Sequence, residues 1–565
     1  MAYTYKRLGD LLVSIGLITE NELERALTLQ KETHKRLGTV LTEYEFISEK
    51  QLIEALEMQL GVSFIDLSKT NIEPGMANIV PKNVAKRHEV VPVRATRDEV
   101  WLAMSDPLNF MAIEEVKHVS RRRVIPMIAT SDAVDHAIIT LYGNEGAARA
   151  IEEMKRVGGA ATEAPTPRAQ ELATGAETAP TIRLVNSIIE RAATERASDI
   201  HLEPREQEMV VRMRIDGILR NILTVPASLS GAVLSRLKVM GAMDISERKM
   251  PQDGRVNVRV KNQDIDLRIS TLPTVHGEKM VIRLLDKSEE TLTRAGIGLT
   301  GEVLERFDRL LRATSGVLLI SGPTGSGKSS TMSTMVRELN TEQVNVVTLE
   351  DPVEYQIDGV NQCQINEKSG MTFAGGLRAI LRQDPDIISV GEIRDGETAT
   401  IAMRAAITGH LVLSTVHTSD AIATLDRLFD IGVEPYMITS ALKGVIGQRL
   451  VRKICPNCRE AYNPSDEELE RLHVTRTPGM KFYRGKGCPM CFHTGYRGRT
   501  GVFEILLVDA AVRRAMSRPH QRDDVLAAAR RGGFTTLGEH CRRLVQQGVT
   551  TAEEAARTIY SIIEE

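Results

Sequence analysis

The chain reads GVLLISGPTGSGKSSTMSTMVREL from Gly316 to Leu339. The apolar run at 317–320 is typical of a buried strand, and residues 329–339 have the composition of a helix. Between them stands G-x-x-x-x-G-K-[ST], whose glycines let backbone amides turn inward around a phosphate at a helix N-terminus. The sequence therefore predicts a phosphate loop made of Gly322, Pro323, Thr324, Gly325, Ser326, Gly327, Lys328, Ser329 and Ser330. In such a loop Lys328 contacts the β- and γ-phosphates and Ser329 ligates Mg²⁺.

Three further apolar runs end in polar clusters. They are residues 344–349, followed by Glu350-Asp351-Pro-Val-Glu354; residues 387–390, followed by Gly391-Glu392-Ile-Arg394-Asp395; and residues 411–416, followed by His417-Thr-Ser-Asp420. Ligands bind beyond the carboxyl ends of parallel strands, so we expect these clusters to surround one nucleotide. Glu354 and Glu392 are the candidates for polarising a water and for holding Mg²⁺ through its hydration shell. The residues alone do not say which carboxylate does which.

Arginines recur at positions that suit either solvent or a ligand. Arg378 and Arg382 lie four residues apart in a predicted helix over 373–383, so they share one face. That face is either solvated or presented to a phosphate or a neighbouring subunit. Four more arginines lie on predicted strands over 210–215, 265–269 and 279–285, namely Arg212, Arg214, Arg268 and Arg283.

Four of the six cysteines form two CxxC pairs, Cys455/Cys458 and Cys488/Cys491. Two such pairs supply the four thiolates of a closed, structural Zn²⁺ site, and the residues between them can fold as a hairpin. A redox pair is the alternative interpretation. Cys363 and Cys541 stand alone and are expected to be buried small hydrophobes.

The first sixty residues contain a repeat with a period of 29 residues. Residues 7–30 read RLGDLLVSIGLITENELERALTLQ, and residues 36–59 read RLGTVLTEYEFISEKQLIEALEMQ. Apolar residues at helical spacing predict two short helices in each copy, with Thr19 and Ser48 as helix N-caps. A duplicated helical hairpin explains the leucines, but it does not explain why both copies open with Arg-Leu-Gly and close with Gln.

Composition and segment boundaries set the domain organisation. Hydrophobic residues make up 42% of the 565 residues, and the net charge is −3. These values exclude global disorder and disfavour a protein that coats nucleic acid by bulk charge. No apolar run is long enough for a membrane helix, and the N-terminus does not resemble a secretory signal. We predict an N-terminal domain over 1–150, a linker over 151–181, an α/β domain over 182–290, and a third domain over 291–565. The third domain contains a cysteine insert over 450–500 and mostly helical residues from Asp509, with a capping box at Thr551–Glu554.

These motifs together resemble the secretion ATPases that power type IV pilus assembly and type II secretion. Residues 322–330 resemble the family's Walker A segment, 348–355 its acidic box, 381–395 its Walker B and 408–421 its His box. The resemblance implies an α/β multidomain chain with a RecA-like P-loop ATPase core and a zinc-binding insert. It also implies a PAS-like α/β domain before that core and a helical-repeat α/β domain at the N-terminus.

The resemblance also assigns roles to individual residues. It makes Glu354 the water-activating base, Glu392 the Walker B carboxylate on the Mg²⁺ side, and His410 and His417 histidines of the nucleotide site. Arg268 and Arg283 fall where the family carries arginines from the preceding domain onto the nucleotide. The family's arginines at subunit contacts match Arg378, Arg382, Arg394, Arg427 and Arg499.

By the same resemblance, the chain is a homohexameric ATP hydrolase that works on the cytoplasmic face of the membrane with an inner-membrane platform protein. It drives pilin polymerisation, and the alternative is a type II secretion ATPase that drives pseudopilus assembly. The pilus-retraction branch fits less well, because it lacks the N-terminal repeat and the cysteine insert. A nucleic-acid motor is disfavoured by the 4% content of aromatic residues. A scaffold with an inert nucleotide site is disfavoured by the presence of Lys328, Glu354 and Glu392.

The repeat resembles the family's N-terminal cyclic-di-GMP-binding domain, in which two such motifs five residues apart each grip part of the dinucleotide. The matching residues are Arg7, Leu8, Gly9, Leu12, Leu23, Leu27 and Gln30, and Arg36, Leu37, Gly38, Leu41, Leu52, Leu56 and Gln59. Arginine can stack on guanine or fork to its O6 and N7. The second copy has Glu45 where the first has Gly16, and a carboxylate there could repel a dianion.

Overall fold

The structure is a computed structural model. It describes residues 8–33, 37–44, 46, 47, 51, 52, 55, 57, 62–67, 70, 72–107, 109–158, 180–260, 263–286, 292–518 and 520–564. The chain divides into two compact units. The first comprises residues 1–260, 265–284 and 488–493, and the second comprises 261–264, 285–487 and 494–565. Among the described residues, no helix combines the length and the apolar character that a membrane crossing requires.

The repeat forms a small helical core with the 29-residue period of the sequence. Its helices are α1 (Leu8–Ser14), α2 (Glu20–Thr33) and α3 (Leu37–Glu43). Equivalent residues of the two copies are buried together in one cluster: Leu12 and Leu41, Ile18 and Ile47, Ala26 and Ala55. Thr19 and Glu22 exchange backbone and side-chain hydrogen bonds at the start of α2, which confirms the first predicted cap. The second, at Ser48, lies outside the described residues.

A three-stranded sheet follows the repeat in the same unit. Its elements are α4 (Lys82–His88), β1 (Val90–Ala95), β2 (Glu99–Met104), α5 (Phe110–Ser120), β3 (Arg123–Ile128) and α6 (Ser131–Gly158). The last helix extends eight residues into the predicted linker. Ala150 and Met154, one helical turn apart, pack into the next hydrophobic core, and this packing keeps the helix going. Most of the remaining linker lies outside the described residues.

The next domain is a six-stranded sheet with two helices. Its elements are α7 (Pro180–Thr194), β4 (Asp199–Pro204), β5 (Glu208–Ile215), β6 (Ile218–Pro226), α8 (Ala227–Met240), β7 (Gln252–Val260), β8 (Gln263–Thr274) and β9 (Gly277–Asp286). The strand order is β6-β5-β4-β9-β8-β7, and the three pairs β4–β5, β4–β9 and β5–β6 are antiparallel. The predicted strands over 210–215, 265–269 and 279–285 all fall within observed strands.

The second unit is built on a seven-stranded sheet in the order β12-β11-β13-β14-β10-β15-β18. Its first part contains α9 (Arg294–Ile297), α10 (Gly301–Leu311), β10 (Gly316–Ser321), α11 (Lys328–Leu339), β11 (Val346–Glu350), β12 (Asn361–Gln364), α12 (Phe373–Ile380), β13 (Ile387–Val390), α13 (Gly396–Ile407), β14 (Leu411–Val416), α14 (Ala423–Asp430) and α15 (Pro435–Ala441). Six strands run parallel, and only β18, at one edge, is antiparallel to its neighbour. Strand β10 is buried along its whole length, as its apolar sequence predicts.

The rest of the unit holds the cysteine insert, apart from residues 488–493, and the C-terminal helices. These elements are β15 (Leu442–Ile454), β16 (Arg459–Tyr462), α16 (Asp466–Arg471), β17 (Phe482–Gly485), β18 (Tyr496–Leu507), α17 (Ala510–Ala515), α18 (Arg522–Arg531), α19 (Leu537–Gln546) and α20 (Ala552–Glu564). Strands β16 and β17 pair with each other, which gives the insert the hairpin expected of it. The ends of the predicted insert, 450–454 and 496–500, instead belong to the long strands of the main sheet, because β15 and β18 pair over these residues.

Two local predictions differ from the structure. Helix α12 ends at Ile380 rather than at residue 383, because Pro385 disfavours helical geometry just before it and Asp384 adopts a φ of 51°. At α20 only half of the capping box forms. Thr551 accepts a hydrogen bond from the Glu554 N–H, whereas the Glu554 carboxylate is bonded to Arg452 on β15.

Candidate functional site

The four strands that precede the motifs all have their carboxyl ends on the same side of the seven-stranded sheet. Strands β11, β13, β14 and β10 are parallel neighbours, so their carboxyl ends lie side by side. The register places Ser321, which precedes the phosphate loop, opposite Val416, which precedes His417. The acidic clusters and the residues from His417 onward therefore lie on the same side of the sheet as the phosphate loop, as the apolar runs predict.

The phosphate loop turns tightly against β15. Gly322 has a φ of 147°, and a Cβ on it would lie 2.4 Å from the backbone oxygen of Gln448. Gly327 has a φ of 89°, and α11 begins directly after it at Lys328. Both positions require glycine for physical reasons, namely close backbone approach and a left-handed conformation. The backbone amides of the loop thus lie at the N-terminus of α11. This arrangement of amides at a helix N-terminus binds phosphate.

Lys328 folds back onto the loop. Its Nζ donates hydrogen bonds to the Gly322 oxygen (2.6 Å) and the Pro323 oxygen (3.0 Å), and the residue is 9% exposed. Burial lowers the pKa of Lys328 to about 8, against the attraction of Glu392 and with the repulsion of Arg449. A negatively charged ligand in the loop would stabilise the ammonium of this buried side chain.

Glu392 and His417 come together beside the loop. The His417 Nε2 lies 3.2 Å from a Glu392 oxygen, and the Arg394 guanidinium donates to the other oxygen of Glu392. Burial raises the pKa of Glu392, but the hydrogen bond and charge of Arg394, together with His417, outweigh burial and hold that pKa below its usual value. Glu392 is therefore a carboxylate that stays ionised near neutral pH, as a group that holds a cation must.

Glu354 and Ser329 lie at the same edge with less defined contacts. Glu354 is half-buried four residues after the end of β11. Ser329 is exposed in the first turn of α11. Both are thus available to a ligand, and their predicted roles as base and Mg²⁺ ligand remain predictions.

His410 is not brought to the phosphate loop of its own chain. It precedes β14 rather than following it, its oxygen accepts the N–H of Gly316 at the start of β10, and its Nδ1 lies 2.8 Å from the Ala405 oxygen. Six strand residues separate His410 from His417, roughly 20 Å at about 3.3 Å per residue. Within one chain, His410 and His417 therefore lie at opposite ends of β14, and the contact of His410 with the nucleotide stays a prediction.

The five arginines expected at subunit contacts are all exposed: Arg378, Arg382, Arg394, Arg427 and Arg499. Arg378 contacts Glu397 and Arg394 contacts Glu392. Neither Arg427 nor Arg499 makes an ion pair within the part of the chain that the structure describes. The two arginines expected from the preceding domain lie in the other unit, Arg268 half-buried on β8 and Arg283 on β9, where Arg283 Nε donates to Asp199.

Sequence reasoning missed two polar residues beneath the phosphate loop. Gln448 is 2% exposed, and its side-chain oxygen accepts a hydrogen bond from Thr331 of α11 (2.8 Å). Arg449 is 5% exposed and close enough to Lys328 to lower its pKa. The signal in the sequence was a Gln-Arg pair inside the apolar run of β15, because polar residues are seldom buried in a central strand without a function or a partner.

The four paired cysteines form a compact cluster. The sulfur atoms of Cys455, Cys458, Cys488 and Cys491 all lie within 4.8 Å of one another. A tetrahedral Zn²⁺ with four thiolates at about 2.3 Å spaces its sulfur atoms by about 3.8 Å, so the donor set fits this ion. All six cysteines are free thiols, and the clustering of four sulfur atoms from both CxxC pairs favours the metal interpretation over the redox one. Cys541 is buried, with its thiol pKa raised to about 12 by burial, and Cys363 is half-buried.

The candidate cyclic-di-GMP residues divide by burial. Leu12 and Leu41 are fully buried in the helical core, so their role is to pack the helices. Gly9 and Gly38 lie against Leu23 and Leu52, again 29 residues apart. Leu27 is exposed, and Leu8, Gln30 and Leu37 are half-buried. Four candidates lie outside the described residues: Arg7, Arg36, Leu56 and Gln59.

Comparison with known families gives two matches. Residues 174–557 match the Type II/IV secretion system protein family, and residues 60–148 match the MshEN domain. The first match covers more than half of the chain. It includes the phosphate loop, the acidic clusters and His box beside it, and the cysteine cluster. The second lies between the 29-residue repeat and the predicted linker.

Three relatives cover most of the chain. The type IV pilus assembly ATPase PilB of Thermus thermophilus is 42% identical over 89% of this chain, which spans 56% of that relative's length. The type II secretion system protein E of Pseudomonas aeruginosa is 41% identical over 85% of this chain and 95% of its own. The PilB of Myxococcus xanthus is 38% identical over 97% and 98%, respectively. Among solved structures, the ATPase DotB of Legionella pneumophila gives a TM-score of 0.49 at 21% identity, over 66% of this chain and 95% of DotB. On the family match over residues 174–557 and the identities to the three curated relatives, the chain belongs to the Type II/IV secretion system protein family, the secretion and pilus ATPases.

Proposed function

We propose that this chain is an ATP-hydrolysing motor that drives type IV pilus assembly as a homohexamer on the cytoplasmic face of the membrane. The observation that carries the proposal is the meeting of Lys328, Glu392 and His417 at one sheet edge, in a chain whose relatives include two pilus assembly ATPases. The platform protein of the inner membrane is the expected partner. Direct binding of nucleic acid is not expected.

The chemistry follows from what each residue can hold. Phosphoryl transfer to water needs the charge on the phosphates neutralised and a water placed in line with the bond that breaks. The loop amides and the ammonium of Lys328 neutralise the phosphates. Glu354 accepts the proton of the attacking water, and Glu392 stays ionised beside Arg394 and His417.

A Mg²⁺ ion fits this set of donors. Ser329 offers a hydroxyl at the start of α11, and Glu392 offers an ionised carboxylate, both of them oxygen ligands of the kind Mg²⁺ prefers. When bound, the ion would neutralise charge on the β- and γ-phosphates. Arg268 and Arg283 would add positive charge from the preceding domain, which we infer by family resemblance to be PAS-like.

We propose cyclic-di-GMP as the regulatory ligand of the N-terminal domain. The MshEN match at 60–148 and the repeat before it support this proposal. Because Leu12 and Leu41 are buried, we expect the contacts to come from other residues of the repeat motifs, above all Arg7 and Arg36. Calorimetry on the full chain should detect binding that Arg7→Ala and Arg36→Ala each weaken. No heat with the unaltered chain would mean that Glu45 disables the site.

Two substitutions test the motor itself. Lys328→Ala should abolish turnover and weaken nucleotide binding, whereas Glu354→Gln should bind ATP without splitting it. A matched control is Glu350→Gln, because Glu350 lies in the same acidic box but is engaged by Thr348 and Gln362. An active Glu354→Gln protein would remove the assignment of the base, and an active Lys328→Ala protein would remove the proposed site.

The second candidate is a type II secretion motor, favoured by the 41% identity to the Pseudomonas protein over 95% of its length. Complementation separates the two. The chain should restore pili in a strain that lacks its pilus assembly ATPase and should not restore secretion in a strain that lacks its type II ATPase. The reverse pattern would support the second candidate.

A further inference from the structure

A buried carboxylate lies at the far end of the row of residues that carries the nucleotide motifs. Val416 of β14 pairs with Ser321 of β10, Ser321 with Gly447 of β15, and Gly447 with Glu504 of β18. Val416 precedes His417 and Ser321 precedes the phosphate loop. Glu504 is therefore in register with both motifs across four strands, although it lies 87 positions after His417 in the sequence.

The Glu504 side chain reaches back over Gly447 to the His box. Its Oε1 accepts the N–H of Ala421 at 2.6 Å, and its Oε2 accepts the N–H of Leu537, the first residue of α19, at 2.9 Å. A Cβ on Gly447 would lie 2.6 Å from the Glu504 Cγ, so only glycine leaves room for this crossing. Glu504 is 4% exposed, and both of its oxygens are satisfied by backbone amides.

A second contact joins the same loop to α18. Asp420, 6% exposed, accepts the N–H groups of Ile422 and Ala423 through one oxygen. Its other oxygen accepts a hydrogen bond from Arg522, the first residue of α18, at 2.6 Å. The loop of residues 417–420 is thus held at its end by two acidic side chains, and each of these is tied to a different C-terminal helix.

We infer that Glu504 and Arg522 are positioning residues for ATP hydrolysis. Through these two side chains, α19 and α18 fix the loop of residues 417–420 and so hold His417 beside Glu392. This inference rests on the proposed function, because it assumes that His417 and Glu392 act at the nucleotide. Neither positioning residue touches the phosphate loop, so nucleotide binding and turnover should respond differently when they are changed. Movement of the C-terminal helices would reach the site by the same contacts.

Steady-state ATP hydrolysis by the full chain tests the inference. Glu504→Gln, Arg522→Ala and Gly447→Ala should each lower kcat about tenfold, as expected for the loss of one positioning hydrogen bond. The KM for ATP should change less than about twofold, because the phosphate loop is intact. Arg522→Lys keeps the charge opposite Asp420 and should restore most of kcat.

The matched control is Glu554→Gln. Glu554 is a buried carboxylate too, and it also joins a C-terminal helix to β15, but through Arg452 near the cysteine cluster. It should leave kcat unchanged. An equal fall in kcat for Glu554→Gln, or a joint change of kcat and KM in the Glu504 and Arg522 variants, would mean a general structural effect and overturn the inference.

His417→Ala separates this inference from the proposed function. If His417→Ala loses activity while Glu504→Gln and Arg522→Ala keep theirs, the positioning role is wrong and the proposed site stands. If His417→Ala is fully active, the proposed role of His417 is wrong, and the inference falls with it. Gly447→Ala is the variant at risk of misfolding, and the exposed Arg522 supplies the same test without that risk.

Discussion

Lys328 is a buried cation beside a loop that binds anions, so anion binding should change the protonation of Lys328 in a way that can be measured. With its pKa lowered to about 8 by burial, the free side chain loses its proton as the pH rises through 8. A bound diphosphate favours the ammonium and raises that pKa again. Binding of ADP at pH 8.5 should therefore take up a fraction of a proton, and binding at pH 6.5 almost none from this group.

Calorimetry in two buffers of different ionisation enthalpy measures that uptake. Lys328→Arg is the control, because a guanidinium stays charged throughout and gives no uptake. Equal apparent heats in both buffers at pH 8.5 would contradict the proton-linked binding at Lys328.

Glu504 gives the second prediction for a single residue. Burial raises its pKa to about 7 from 4.5, despite the two backbone hydrogen bonds, with Asp420 raising it further and Arg522 lowering it. Between pH 4.5 and 7 the folded chain keeps a proton that the unfolded chain has lost. The stabilising contribution of protonated Glu504 is thus complete below pH 4.5 and is lost as the pH rises through 7, by about 3 kcal/mol at most.

Thermal unfolding at pH 5.5 and 7.5 checks this sign. Glu504→Gln cannot titrate, so its unfolding temperature should fall less between the two values than that of the unaltered chain. The same fall in both proteins would show that Glu504 does not titrate in this range.

The sequence predicted residues whose chemistry follows a local pattern and missed those whose partners are remote. Lys328, Glu392 and His417 each follow an apolar run within eight residues, so the pattern of a parallel sheet brings them to the same side of the sheet. The contact of Glu504 with Ala421 spans 83 residues, and that of Arg522 with Asp420 spans 102. No periodicity within a segment encodes such contacts, because they depend on which helices pack at the sheet edge.

At the scale of elements, the two copies of the N-terminal repeat can be compared directly. A Cβ on Gly9 of α1 would lie 2.6 Å from Leu23, whereas one on Gly38 of α3 would lie 3.2 Å from Leu52. Gly9→Ala should therefore destabilise its helix pair by about 1 kcal/mol or more. Gly38→Ala should change stability by less than about 0.5 kcal/mol, because a small shift of Leu52 suffices and alanine favours the helix.

Hydrogen exchange of the α1–α3 peptides in the full chain measures both local stabilities. Each variant serves as the control of the other, since the substitution and the sequence position within the repeat are the same. A larger loss of protection for Gly38→Ala than for Gly9→Ala would contradict the packing described.

The cysteine cluster gives a second prediction for an element. Elemental analysis should find about one zinc per chain, and Cys488→Ser should remove it, because a structural site needs all four thiolates. Loss of the metal should also expose the amides of β16 and β17 to exchange, since zinc binding supplies part of the folding energy of such inserts. Cys363→Ser, a thiol on β12 outside the cluster, should keep its zinc. A metal-free protein with a fully protected insert would remove the zinc site.

Element types were predictable from apolar patterning, but their ends were set by tertiary contacts. The strands over 387–390 and 411–416 were placed by their apolar runs alone, and the structure has them with the same bounds. Helix α6 continues past residue 150, the predicted end of its domain, because Met154 packs into the next hydrophobic core. The Glu554 carboxylate accepts a hydrogen bond from Arg452 instead of completing the capping box. In each case a remote partner outweighed a local preference.

At the scale of the whole chain, the sequence predicted an α/β fold with a secretion-ATPase core but not the order of the strands. The order β12-β11-β13-β14-β10-β15-β18 places β10, the first strand of its sheet in the sequence, between β14 and β15, the fifth and sixth strands of that sheet along the chain. Apolar runs identify strands without saying which run lies beside which. Contacts between copies lie beyond the geometry of one chain, so the expected role of the exposed Arg427 and Arg499 at a second copy stays a prediction.

If neighbouring subunits share each ATP site, two inactive variants should restore each other. Lys328→Ala lacks a phosphate-binding cation, and Arg427→Ala lacks an exposed arginine that we expect to act on the adjacent subunit. In an equal mixture of reassembled rings, about a quarter of the sites join an intact phosphate loop to an intact arginine, because head-to-tail contacts use different surfaces of each subunit. The mixture should therefore recover up to about a quarter of the unaltered ATPase rate, while sedimentation confirms hexamers.

The control pairs Lys328→Ala with Glu354→Gln, whose defects belong to the same chain's site, so that mixture should recover nothing. If the first mixture stays as inactive as its parents although mixed hexamers form, Arg427 acts within its own chain and the shared site is wrong.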